Sequence, residues 1–148
     1  MFSYSFFMDG SIAVEVRASG YIRAGHSAHD EDSGFRVHDF VSGSIHDHVM
    51  NFKVDFDILG TPNTVQLLRK VPVSRSYPWS GGKARNTMKL TRSFVDSEDR
   101  SRFNWGPNGD TQVLVVNQDE KNSYGEFRGY RIQPYAGLLH LTVQDSSN

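Results

Sequence analysis

Apolar and polar residues alternate with a period of two along most of this chain. Tyr4, Phe6 and Met8 alternate with Ser3, Ser5 and the less regular Phe7; after Asp9-Gly10, Ile12, Val14 and Val16 alternate with Ser11, Glu15 and Arg17. Alternation of this kind predicts half-buried strands, and the Asp-Gly pair between them predicts a hairpin. Met50, Phe52, Val54, Phe56 and Ile58 alternate with Asn51, Lys53, Asp55 and Asp57, which predicts a strand with one core face and one wet face. Residues 65–73 and 85–95 read as the two sides of a long hairpin whose polar, glycine-rich tip carries Trp79. Short strands are predicted at 112–116, 127–134 and 138–143. Residues 23–45 are rich in Gly, Ser, Asp and His with no period, which predicts a long loop, and residues 99–111 are irregular. No amphipathic helix and no internal repeat is present. The predicted fold class is all-β and antiparallel.

Composition narrows the chemistry. A length of 148 residues suits one domain. The formal net charge of −1 argues against a basic nucleic-acid face. The absence of cysteine excludes disulfides, thiolate zinc sites and cysteine nucleophiles. No apolar run is long enough to span a bilayer as a helix, and the N-terminus lacks the order of a signal peptide. The strand pattern begins at once, with no polar lead-in, so the domain reads as cut at its N-terminal end.

The segment SGSIHDHVMNFKVDFDILG, residues 42–60, carries the most informative side chains. On a regular strand His46 and His48 share the face of Met50 to Ile58, and Asp55 and Asp57 share the other. Two imidazoles at i, i+2 suit copper, zinc or iron; two carboxylates suit a hard cation such as calcium. Each pair is incomplete by itself. A lone His-x-His is more often structural than metal-binding, and an Asp-x-Asp on a wet face is usually solvated charge. His26, His29 and His38 lie in the polar stretch and read as surface residues, any of which could be a third ligand. His140, in GLLHLTV, reads as a satisfied core histidine. No G-x-S-x-G, P-loop, G-x-G-x-x-G or H-E-x-x-H occurs.

Three stretches in order, FFMDGSIAVEVRASGYI, GSIHDHVMNFKVDFDI and NSYGEFRGYRIQPYAG, resemble the catalytic domain of copper amine oxidases, the topaquinone enzymes, most closely fungal ones. The resemblance covers nearly the whole chain. It implies an antiparallel β-sandwich, a homodimer with projecting hairpin arms, and oxidation of primary amines by dioxygen to aldehyde, ammonia and hydrogen peroxide. It implies copper at His46 and His48, and a second cation, calcium, at Asp55, the Phe56 carbonyl and Asp57. The family's quinone comes from the tyrosine of an Asn-Tyr-(Asp/Glu)-Tyr motif. No Asn-Tyr-(Asp/Glu) occurs here, since Tyr4 stands in Ser-Tyr-Ser and Tyr124 in Ser-Tyr-Gly. By the resemblance, that tyrosine and the catalytic aspartate belong before Met1. The third copper histidine belongs after Asn148, so the resemblance implies that residues 1–148 are a partial catalytic domain truncated at both ends. The chain is therefore expected to carry a copper half-site, no catalytic residue of its own and no activity alone, with neither nucleic acid nor membrane as partner.

Two other readings fit the motif alone. A cupin-like metal-binding barrel also uses His-x-His, but it expects a glycine where Phe40 stands and a glutamate where Asn51 and Phe52 stand. A non-catalytic β-sandwich binding module is the other.

Overall fold

The computed structural model describes residues 1–29, 32, 34–46, 48–106 and 108–135. Among them are nine strands in three antiparallel sheets and two short 3-10 turns, with no α-helix. The all-β, antiparallel class expected from the alternation is what the chain adopts. The strands fall into two compact units, one holding residues 1–53 and 135, the other residues 54–134.

In the first unit, β1 (Phe2–Phe6) and β2 (Ile12–Val16) form the expected hairpin, with Phe2 opposite Val16 and Phe6 opposite Ile12. The turn works as its residues dictate. Gly10 takes φ 84°, a conformation costly for any residue with a Cβ. The Ser11 N–H donates to the Asp9 carboxylate at 2.9 Å.

The same unit holds a second sheet where a loop was expected. β3 (Ala24–His26), β4 (Gly34–His38) and β5 (Val41–Ser44) pair in the order β3-β5-β4. The central strand, Val-Ser-Gly-Ser, shows no alternation of apolar and polar side chains, so periodicity gives no sign of it. Backbone pairing and close approach replace the usual signal. A Cβ on Gly34 would collide with the Gly43 carbonyl on the neighbouring strand, so this pairing requires glycine.

The second unit is built on a four-stranded sheet ordered β7-β6-β8-β9. Its strands are β6 (Asn63–Ser76), β7 (Ala84–Val95), β8 (Thr111–Lys121) and β9 (Phe127–Ile132). The long hairpin expected between residues 65 and 95 is β6–β7, with Val65 opposite Val95 and Ser76 opposite Ala84. β8 covers only the base of β6, as far as the Arg69–Thr111 pair. Beyond it β6 and β7 run on as a two-stranded ribbon, the place where Pro72, with no N–H to offer a further strand, is tolerated. The core sits at the base, where Leu67, Val113, Val115 and Val116 are buried together with Ile58. At the tip, residues Pro78–Ser80 make a 3-10 turn closed by Ser80 on Tyr77. The Tyr77 and Trp79 rings stack at 5.2 Å with Trp79 72% exposed, as an arm projecting from its sheet requires.

The strand expected across residues 50–58 is not formed: residues 48–57 make no ladder among the described residues. Met50, Phe52 and Val54 are exposed, and the core-facing expectation holds only for Ile58 and, in part, Phe56. Alternation marks a chain suited to a sheet, but a strand exists only where a neighbour takes its N–H and C=O groups, and among the described residues no strand pairs with this segment. The strand expected at 138–143, and His140 with it, lie outside the described residues.

Candidate metal centre

β5 delivers the chain directly to the histidine pair. Its last residue, Ser44, is followed by exposed Ile45 and half-buried His46; His48 is exposed. His46 Nδ1 lies 3.3 Å from the Ser44 carbonyl. A carbonyl only accepts, so this contact is a hydrogen bond only with the proton on Nδ1, which leaves Nε2 with its lone pair free. Fixing the tautomer through the second ring nitrogen in this way is how metal-ligating histidines are usually held.

The His46 and His48 rings lie 5.0 Å apart between centroids, tilted by 54°. A metal bound at about 2.0 Å from an imidazole nitrogen lies about 3 Å from the ring centroid, so two neighbouring ligands on one ion have centroids roughly 4.5–5 Å apart. The separation of the two rings lies at the upper end of that range. Tyr21 faces His46 at 6.2 Å between centroids. Beside it lies an open, largely apolar surface depression of about 290 Å³ whose lining includes Tyr21, Ile22, Arg23, Phe35, Ser44 and His46. The strand pattern places both imidazoles on a buried face. They do come together, but through an irregular segment and with unequal burial.

His26, His29 and His38 make other contacts. His26 and His29 both stack on Phe40, at 6.3 and 5.7 Å, and His29 Nε2 sits 2.6 Å from the Asp39 carbonyl. His38 is exposed at the end of β4, its carbonyl 3.3 Å from the Arg36 Nε donor. Among the described residues no group of three His, Asp or Glu side chains gathers at metal-binding distance.

In the second unit, Asp55 and Asp57 are both exposed and flank the half-buried Phe56. The Phe56 carbonyl accepts a 2.9 Å bond from Asn63 Nδ2, which also donates to the Gly60 carbonyl at 2.8 Å. Asn117, 2% exposed, donates to the Ile58 carbonyl at 2.8 Å, and its Oδ1 accepts from the Asp119 N–H at 2.9 Å. These two asparagines hold the turn after Asp57, where Leu59 takes φ 53°. Nothing in the residue pattern singles them out. Asn63 opens β6 and Asn117 lies within β8, and each is an ordinary polar position until the facing backbone is known.

The described residues form an antiparallel β fold and a His-x-His pair whose rings lie side by side. Comparison with known proteins makes this specific. The model of the copper amine oxidase enzyme domain matches residues 1–148. The chain is 49% identical to copper amine oxidase vicK1 of Bipolaris victoriae over its whole length, which is 21% of that protein. It is 32% identical to amine oxidase [copper-containing] 2 of Mus musculus, over 93% of this chain and 18% of that one. Among solved structures, the Aspergillus nidulans amine oxidase superposes with a TM-score of 0.92 at 61% identity, covering 99% of this chain and 20% of that one. The Pichia pastoris lysyl oxidase superposes at 0.90 and 41% identity, covering 98% and 20%. The chain belongs to the copper amine oxidase family. It spans about a fifth of the length of these relatives.

Proposed function

We propose that residues 1–148 form the copper-holding segment of the catalytic domain of a primary-amine oxidase. The observation that carries this reading is the His46–His48 pair, with ring centroids 5.0 Å apart and His46 Nδ1 3.3 Å from the Ser44 carbonyl. Copper is the metal this nitrogen pair favours among common divalent ions, and the family points to the same ion. His46 and His48 would supply two nitrogens, and a third ligand from elsewhere in the folded enzyme would complete the site.

In the enzyme the reaction would be oxidation of a primary amine by dioxygen to aldehyde, ammonia and hydrogen peroxide. Topaquinone, when present, supplies the carbonyl that captures the amine. This chain has no Asn-Tyr-(Asp/Glu) motif to provide that quinone's precursor. Its own contribution would be to hold the two imidazoles side by side, with His46 Nδ1 turned to the Ser44 carbonyl and the depression around Tyr21 and Ile22 beside them. On this reading the chain alone would not turn over an amine.

Asp55, the Phe56 carbonyl and Asp57 would contribute to a second, oxygen-ligated site, with calcium as its ion. Two exposed carboxylates around a carbonyl already oriented by Asn63 support it. The β6–β7 ribbon would be an arm contacting the second subunit of a homodimer. Its projecting tip and its exposed Met88 and Leu90, 75% and 52% accessible, support that role.

The family assignment sets aside the cupin reading, whose glycine and glutamate are also missing. The test is copper content and amine-dependent peroxide release in the enzyme that contains this segment. His46→Ala and His48→Ala should each lose copper and reduce turnover by at least a hundredfold. Full copper occupancy in both variants would overturn the assignment.

A further inference from the structure

The net charge of −1 conceals a sharp segregation. From Ile58 to Val95 there is no Asp or Glu, while Arg69, Lys70, Arg75, Lys83, Arg85, Lys89 and Arg92 all lie there. The rest of the chain carries nine cations against seventeen carboxylates.

The ladder sorts these cations by face. Facing residues on paired strands share a side of the sheet. The pairs Arg69–Thr91, Val71–Lys89, Val73–Thr87 and Arg75–Arg85 occupy one side of the ribbon. The intervening pairs Lys70–Leu90, Pro72–Met88 and Ser74–Asn86 occupy the other. One side thus presents Arg69, Lys89, Arg75 and Arg85, all exposed. The opposite side presents the apolar Met88 and Leu90. From Arg69 to Arg75 the basic row runs about 20 Å.

None of these four cations has an ion-pair partner among the described residues; the ion pair that the ribbon does make there is Arg92 with Glu126. Arg75 and Arg85 stand directly opposite each other, an arrangement of like charges that destabilises a ladder. A narrow, unpaired row of positive charge, repelling itself across the ribbon, is matched by a linear chain of negative charge.

We infer that the Arg69, Lys89, Arg75 and Arg85 face of the β6–β7 ribbon binds a linear anionic polysaccharide, one bearing sulfate or carboxylate groups. This goes beyond the arm's proposed dimer contact, which uses the apolar face, and does not depend on copper. Nucleic acid fits less well. The basic face carries no aromatic ring on which a base could stack, since Tyr77 and Trp79 stack on each other at the tip. The row attracts sulfate or carboxylate oxygens through its positive charge, and release of counterions makes such binding salt-dependent.

The test measures binding of the 148-residue chain to a heparin decasaccharide, to an oligogalacturonate of equal length and to a DNA duplex, across a salt series. The inference expects binding to at least one of the two saccharides, the tighter one telling sulfate from carboxylate. Arg75→Ser/Arg85→Ser should weaken that binding at least tenfold and reduce its salt slope by roughly 1 to 2. Arg75→Lys/Arg85→Lys should keep it within about threefold, and so should the charge-matched control Arg102→Ser/Arg128→Ser, at two exposed arginines outside the ribbon. Failure to bind either saccharide, tighter binding of the duplex, an equal loss in the control, or loss in the lysine variant would each overturn it.

Discussion

Asn117 Nδ2 reaches the Ile58 carbonyl at 2.8 Å and ties the turn after Asp57 to β8, 59 positions along the chain. The asparagine is buried, so its removal leaves backbone carbonyls without a donor in a place water does not reach. Asn117→Ala should cost about 2–3 kcal/mol, read as a lowered urea midpoint. A midpoint unchanged from wild type would show that this bond is not what holds the turn.

Gly34 lies against the Gly43 carbonyl in the β4–β5 pair. Gly34→Ala forces that pair apart and, through β5, displaces the chain entering His46. We expect a loss of about 2–4 kcal/mol, in the range of other severe backbone and packing lesions, together with weaker copper binding. Hydrogen exchange should speed up in β3, β4 and β5 first. Faster exchange confined to β6–β9 would contradict this.

The Asp9 carboxylate accepts the Ser11 N–H, and its hydrogen bonds to Ser11 hold its pKa below the ordinary 3.8. A lowered folded pKa means that the turn's contribution is present above the unfolded pKa and is lost as pH falls through the folded one. Carboxyl NMR titration should place the Asp9 midpoint below 3.8, and Asp9→Asn should remove that titration from the hairpin. A midpoint at or above 3.8 would show the turn bond absent in solution.

Without a processing motif around any tyrosine, the 148-residue chain given copper and air should develop no quinone absorption band and release no amine-dependent peroxide. Turnover by this chain would require Tyr4, Tyr21 or Tyr124 to act in surroundings that give no reason for it.

Much of the fold is legible in the residues, and the parts that are not share a cause. The Asp9-Gly10 hairpin and the long β6–β7 pairing follow from local alternation and turn chemistry, which the chain carries itself. The sheet formed by β3, β5 and β4 is hidden because Gly34, Gly43, Ser42 and Ser44 pair by backbone, leaving no side-chain pattern to read. The alternation of Met50 to Ile58 is a true pattern without a formed strand, because pairing depends on a neighbour that periodicity does not report. The His-x-His pair is visible as a motif. The Ser44 contact that sets the His46 tautomer is not, because it depends on where β5 ends. The gripping roles of Asn63 and Asn117 likewise depend on backbone brought in from distant positions.

Copper ligation by both His46 and His48 is tested most directly by pulsed electron paramagnetic resonance of the chain loaded with one equivalent of Cu(II). With His46 bound through Nε2 and its Nδ1–H on the Ser44 carbonyl, the spectrum should show modulation from the remote nitrogens of two imidazoles. His46→Ala or His48→Ala should reduce this to one and weaken copper binding at least tenfold. A wild-type spectrum without imidazole modulation, or one unchanged in both variants, would contradict the assignment of this pair as the copper ligands.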